Sequence, residues 1–265
     1  MLTNLLIFVS LVAYSTACTR LVMALRYDLP IDPRVQFATG LVGSIAQIGL
    51  MATLMIHDGG IDFSLLKSIS LVLATAVLFV TLSSQRFAIQ ALQLALMPIA
   101  GLFAICSVIA PSSRELLQLS AGTGLHISTS ILAYGTFTVA AVMALLLGYS
   151  SLRLRHHKLT PLVKHVPPVE ALESILYELL AWGTVLLGLS ILTGFIFVGD
   201  FFAQHLIHKT ALSILAFVIY SFICIGHWRR GWRGRRVMRW VFGAYASLTL
   251  AYVGSKLVLE WVLRS

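Results

Sequence analysis

The chain has 265 residues, of which 58% are hydrophobic and only 11% charged, and it carries a net charge of +9. A soluble domain of this length needs far more charge to cover its surface, so a water-soluble globular fold is excluded. The positive balance would suit nucleic acid, so the distribution of the charge has to decide its meaning.

Eight apolar runs succeed one another, at roughly 2–25, 36–56, 65–83, 87–110, 125–151, 175–198, 210–226 and 240–262. Several approach or exceed the ~18 residues that a helix needs to cross a hydrocarbon core about 30 Å thick. Helices close their own backbone hydrogen bonds, so the expected fold is all-α, a polytopic bundle of eight transmembrane helices. A β-barrel would need short alternating segments, whereas these runs are long and continuous.

The first run has no basic segment before it, since Arg20 is the first positive charge. "STACT" around Cys18 has a faint likeness to a lipoprotein cleavage site, but without that charge the first helix is expected to stay attached. Cys18, Cys106 and Cys224 show no paired spacing and read as small buried hydrophobes.

Positive charge alternates along the chain. Fourteen of the 19 Lys and Arg residues come after the odd-numbered runs, and five after the even-numbered ones. The positive-inside rule then puts the odd loops in the cytoplasm and both termini on the periplasmic or external side. Arg229, Arg230, Arg233, Arg235, Arg236 and Arg239 crowd the turn between runs seven and eight. They pin that hairpin inside, offer a partner surface, and bind anionic headgroups of membrane lipids at about 1 kcal/mol each. Such a tight hairpin leaves no room for a duplex, so no nucleic-acid partner is expected. Trp228, Trp232 and Trp240 fit an interfacial aromatic belt.

The longest cytoplasmic connection, 153–174, carries Pro161, Pro167 and Pro168, and "PPVEALES" within it reads as a helix start. External loops are short. There is no Walker A motif, no Rossmann glycine pattern, no HExxH and no nucleophile–base pair, so an enzyme in its own right is not expected.

Polar residues at membrane depth are costly and draw a functional reading. His126 opens the fifth run, with Ser130 one turn on and Tyr134 two turns on, all on one face. A histidine at the mouth of a bundle can ligate a metal or haem iron through neutral imidazole, or simply hydrogen-bond at the interface. His227 closes the seventh run, where a helix C-cap is the simpler role. His205 and His208 share a face if helical. His208 and His227 lie about 28 Å apart along one helix, so they cannot be two axial ligands of one haem. Lys209 reads as an interfacial snorkeler, and Lys256 as either a snorkeler or a residue facing the bundle interior.

Three segments carry a family likeness: "LHISTSILAYGTFTVAAVMALLLGY" (125–149), "ELLAWGTVLLGLSILTGFIFV" (178–198), and the hairpin of 208–257 with its Gly-Trp-Arg-Gly loop. The chain resembles the cytochrome c assembly membrane proteins, the CcsA/CcmC-like haem-handling family, and within it the YpjD/HemX branch of inner-membrane proteins. The likeness is good over residues 120–260. It implies an N-terminal four-helix part, 1–120, and a cytochrome c assembly-like four-helix part, 121–265, in one membrane-embedded unit. By position, His126 matches the family's external haem-ligating histidine, and His227 the histidine that ligates haem within the membrane in haem-exporting members. Lys209 falls where the family's tryptophan-rich segment ends in Asp-Pro-Lys.

Two features of the family are missing. "GDFFAQHLIHKTALS" (199–213) contains no tryptophan, and no histidine comes after the last run. A second external ligand would come from His57, His205, His208 or another subunit. The resemblance implies haem b, held without covalent attachment, with the imidazoles of His126 and His227 as iron ligands. The leading expectation is therefore haem binding, relay or chaperoning linked to cytochrome c assembly, in the inner membrane and in complex with other membrane proteins. Two alternatives stay open. One is a non-catalytic regulatory or scaffold subunit tied to tetrapyrrole metabolism; the other is a small-solute permease using Gln47, Gln93, Ser130 and Thr193.

Overall fold

The computed structural model describes residues 1–57, 59–110, 116–118, 120–156, 160–197, 204–254 and 256; at 164 and 204–208 it describes the backbone alone. In chain order the helices are α1 (Leu2–Tyr27), α2 (Pro33–Met55), α3 (Leu65–Ser83), α4 (Ala91–Ile109), α5 (Ala121–Arg155), α6 (Pro161–Lys164), α7 (Val169–Phe197), α8 (Gln204–Arg230) and α9 (Arg235–Thr249). A π-helical turn, Leu250–Gly254, continues α9. Between α2 and α3 lies a small antiparallel hairpin, β1 (Ile56–His57) with β2 (Gly60–Ile61).

Seven of these helices, among the described residues, are long and apolar enough to cross a membrane. They correspond to the first seven apolar runs. The eighth run, 240–262, takes in most of α9 and the π turn, and its end lies outside the described residues. Boundaries move for local reasons. Ser120 starts α5 four residues before the apolar run, because its hydroxyl accepts the Thr123 N–H at 3.2 Å. Pro168 starts α7, its carbonyl accepting the Leu172 N–H at 3.0 Å, with Glu170 in the first turn.

The chain forms two compact units. One comprises residues 1–117 and 145–172; the other comprises 118–144 and 173–265. The first is held by polar bridges between helices. Tyr14 Oη donates to Gln47 Oε1 at 2.8 Å, while Gln47 Nε2 donates to Ser70 Oγ and to the Ala100 carbonyl, each at 2.9 Å. One glutamine thus ties α1, α2, α3 and α4 together. Gln36 Nε2 donates to Gln93 Oε1 at 2.7 Å, and Gln93 Nε2 to Thr81 Oγ1 at 3.0 Å. Each of these amides is buried, and in lipid an unmade hydrogen bond has no water to replace it.

The same unit buries an ion pair. Lys67 Nζ lies 2.6 Å from Asp62 Oδ2 and donates to the Leu54 carbonyl at 3.1 Å, with both side chains essentially inaccessible. Asp62 Oδ1 in turn accepts the Ser64 N–H at 2.9 Å, fixing the start of α3.

The second unit packs on aromatic rings. Phe137 of α5 stacks on Tyr220 of α8 with centroids 3.9 Å apart, and both are fully buried. Tyr134 Oη donates to the Leu248 carbonyl at 2.8 Å, and Thr138 and Tyr245 share a hydrogen bond of 2.9 Å.

Candidate functional site: an imidazole at each end of the second unit

His126 sits in the second turn of α5, half-buried. Its Nδ1 lies 2.7 Å from the Ser190 carbonyl of α7. A carbonyl only accepts, so Nδ1 carries a proton, and in the neutral imidazole Nε2 then has the lone pair. Ser130, one turn on, reaches the same place: its Oγ is 2.6 Å from Ser190 Oγ and bonds the His126 carbonyl at 2.7 Å. Thr193 Oγ1 also donates to the Ser190 carbonyl, at 3.1 Å. The shared face of His126 and Ser130 is thus set against one serine of α7, whereas Tyr134 turns to α9.

Lys209 belongs to this end as well. Its ammonium lies over the Tyr252 ring, 5.2 Å from the centroid, and within electrostatic reach of the His126 imidazole. Tyr252 is carried by the π turn and meets Tyr134 edge-on at 6.0 Å.

His227 lies three residues before the end of α8. Its Nδ1 is 3.1 Å from the Trp232 carbonyl, so here too Nδ1 donates. The same carbonyl accepts the Tyr177 hydroxyl. Tyr177 stacks on the imidazole with centroids 3.4 Å apart and planes 13° from parallel. The ring is therefore fixed in both direction and plane.

The Gly-Trp-Arg-Gly loop explains why Trp232 can do this. Gly231 and Gly234 have φ of 62° and 80°, left-handed values that glycine takes without strain. The turn folds the Trp232 indole back onto Gly226, where a β-carbon would stand 2.3 Å from the ring. The arginines Arg229, Arg230, Arg233, Arg235 and Arg236 are exposed around it. Arg233 Nε reaches Glu173 Oε2 at 3.7 Å, a loose and solvated pair.

Along α8, Lys209 and His227 are about 27 Å apart, so the two imidazoles occupy opposite ends of this unit. His57 lies in β1, exposed, in the other unit. His205 and His208 fall in the first turn of α8, and their side chains lie outside the described residues. Tyr177, Ser190 and the Trp232 carbonyl are site groups that the sequence did not single out. Tyr177 had a faint signal, as an aromatic one turn after Glu173 on the helix that approaches the arginine loop.

No group of three or more His, Cys, Asp or Glu gathers among the described residues, so these donors do not build a multi-ligand metal site. Single imidazoles with a carbonyl behind Nδ1, and no Nε2 hydrogen bond among the described residues, fit an iron whose equatorial positions are already filled, as in haem.

Fold and donors together define a multi-pass α-helical membrane protein. The chain belongs to the cytochrome c assembly protein family, whose profile matches residues 36–263 and so extends well N-terminal of 120–260. It is similar to the inner membrane protein YpjD of Escherichia coli K12, at 29% identity over 263 residues, covering 96% of this chain and 97% of that protein. An uncharacterised 28.8 kDa protein of Azospirillum brasilense is 36% identical over 141 residues, covering 52% of each chain. No solved structure matches. With seven apolar helices among the described residues, the protein is a multi-pass protein of the inner membrane.

Proposed function

We propose that the protein binds haem b non-covalently through the imidazoles of His126 and His227, and handles it as part of cytochrome c biogenesis. The observation that carries this reading is shared by the two histidines: each gives its Nδ1 proton to a backbone carbonyl, which in the neutral imidazole leaves Nε2 as the nitrogen that would take iron. Ser190 and Trp232 orient the rings, and Tyr177 fixes the plane of one of them. Haem, when bound, supplies redox-active iron and is itself the cargo of the process. Gln47 and Gln93 are fully buried, the first bonded to Tyr14, Ser70 and the Ala100 carbonyl and the second to Gln36 and Thr81, which supports this reading over a permease.

In the proposed arrangement the haem-handling residues belong to the part spanning 121–265, and α9 together with the C-terminal residues makes an eighth crossing. Both termini lie outside, His126 at the outer face and His227 at the inner one. The exposed arginines face anionic headgroups and the membrane partners that supply any soluble chemistry.

Detergent-purified protein is expected to show a Soret band. His126→Ala and His227→Ala are each expected to lower its intensity or shift its position, and a spectrum unchanged in either variant removes that histidine from the site. Single cysteines at 124 and 231, in a background without the native ones, are expected to label from opposite sides of the membrane. Labelling of both from one side overturns the topology.

A further inference from the structure

The backbone carbonyl of Trp232 serves two donors at once. His227 Nδ1 lies 3.1 Å from it, and the Tyr177 hydroxyl donates to the same oxygen. A carbonyl has lone pairs for both bonds, but each donor draws density from the oxygen and leaves it a weaker acceptor for the other. Tyr177 therefore touches the imidazole in two separate ways. Its ring covers one face of His227, with centroids 3.4 Å apart and planes 13° from parallel. Its hydroxyl competes with the imidazole for the oxygen behind Nδ1.

That competition is separable from the fold of the loop. The Trp232 N–H donates to the Gly226 carbonyl at 3.4 Å, and the indole lies against Gly226. Arg233 Nε meets Glu173 Oε2 at 3.7 Å, one turn before Tyr177 on α7. These contacts tie the loop down independently of the hydroxyl at 177.

The bond behind Nδ1 matters to whatever Nε2 ligates. A strong acceptor pulls on the Nδ1 proton, sends electron density through the ring to Nε2, and favours the more positive state of a bound metal. A weakened acceptor does the reverse. Such hydrogen bonding is one of the levers by which a protein sets the potential of haem iron.

We propose that Tyr177 is a positioning residue that, by sharing the Trp232 carbonyl with His227, biases iron on this imidazole towards the ferrous state. This rests on the haem reading and adds a redox preference to one of its two sites. The stacked ring holds the imidazole plane, and the hydroxyl limits how much density the imidazole gives.

Tyr177→Phe keeps the ring and removes the hydroxyl. The first measurement needs no haem. In detergent-purified protein isotope-labelled at the histidine nitrogens, the Nδ1 resonance of His227 is identified by its loss in His227→Ala. Tyr177→Phe is expected to move it downfield, as the bond to Trp232 strengthens; an upfield move or none overturns the proposal. The second is an optical redox titration of haem-loaded His126→Ala, which leaves the His227 site, with and without Tyr177→Phe. The phenylalanine is expected to shift the ratio of ferric to ferrous iron about tenfold towards ferric, lowering the midpoint by about 59 mV for one electron. A raised or unchanged midpoint overturns the proposal. A lowered midpoint accompanied by weaker haem affinity or a displaced ferric Soret band marks a loosened site and overturns it too. Absence of any Soret band in the wild type overturns the haem reading and the redox preference with it, while the nitrogen shift still decides whether the carbonyl is shared.

Discussion

Two lysines near the starts of apolar helices separate the two units. Lys67 of α3 has a carboxylate at 2.6 Å and a carbonyl at 3.1 Å, and is sealed from solvent. Lys209 of α8 has an aromatic face and a neighbouring cation. The same contrast runs through the surrounding side chains. In the first unit the amides of Gln47 and Gln93 are spent on other helices, whereas in the second unit each imidazole gives Nδ1 to a carbonyl and, among the described residues, makes no hydrogen bond through Nε2. Polar groups in a membrane protein act as glue where they are paired across helices.

The largest expected effect tests that contrast directly. Lys67→Met strands the Asp62 carboxylate in a buried site and is expected to destabilise the protein by about 3–5 kcal/mol, with Asp62→Asn in the same chain recovering much of the loss. Among the described residues no carboxylate lies within 4 Å of Lys209, so the unfolding midpoint of Lys209→Met in detergent should stay within about 0.5 kcal/mol of wild type. Equal destabilisation by the two methionines would erase the distinction between the units.

A mid-sized effect is expected at the arginine hairpin. Gly226→Val forces the Trp232 indole away and should destabilise by about 1–3 kcal/mol. Because Trp232 also holds His227, the haem spectrum of that variant should change together with its stability, and a variant that is less stable but spectrally normal uncouples the two. An effect of about 2 kcal/mol is expected at Gln47→Leu, which removes four interhelical bonds, each worth about 0.6 kcal/mol on average. Thermal unfolding should register it while haem content stays unchanged.

Some of this was legible in the residues themselves. The face shared by His126 and Ser130 comes from helical spacing, and the seven observed spans come from apolar length. The Gly-Trp-Arg-Gly hairpin was visible as a motif, though not what it does. Nothing local to Trp232 says that its carbonyl receives both Tyr177, 55 residues earlier, and His227. Nothing in the sequence pairs Lys67 with Asp62, because the five-residue step between them crosses a helix start and carries no helical periodicity.

The sequence by itself determined the solvent, the secondary structure and the family. A chain this apolar must sit in lipid, and lipid demands that each segment close its own backbone hydrogen bonds. Only the tertiary structure decided which imidazole nitrogen faces a carbonyl and which carboxylate Lys67 meets. Those depend on carbonyls and carboxylates brought from other segments, His126 drawing on Ser190, 64 residues away. Hydropathy sums along the chain and is blind to such cross-helix geometry.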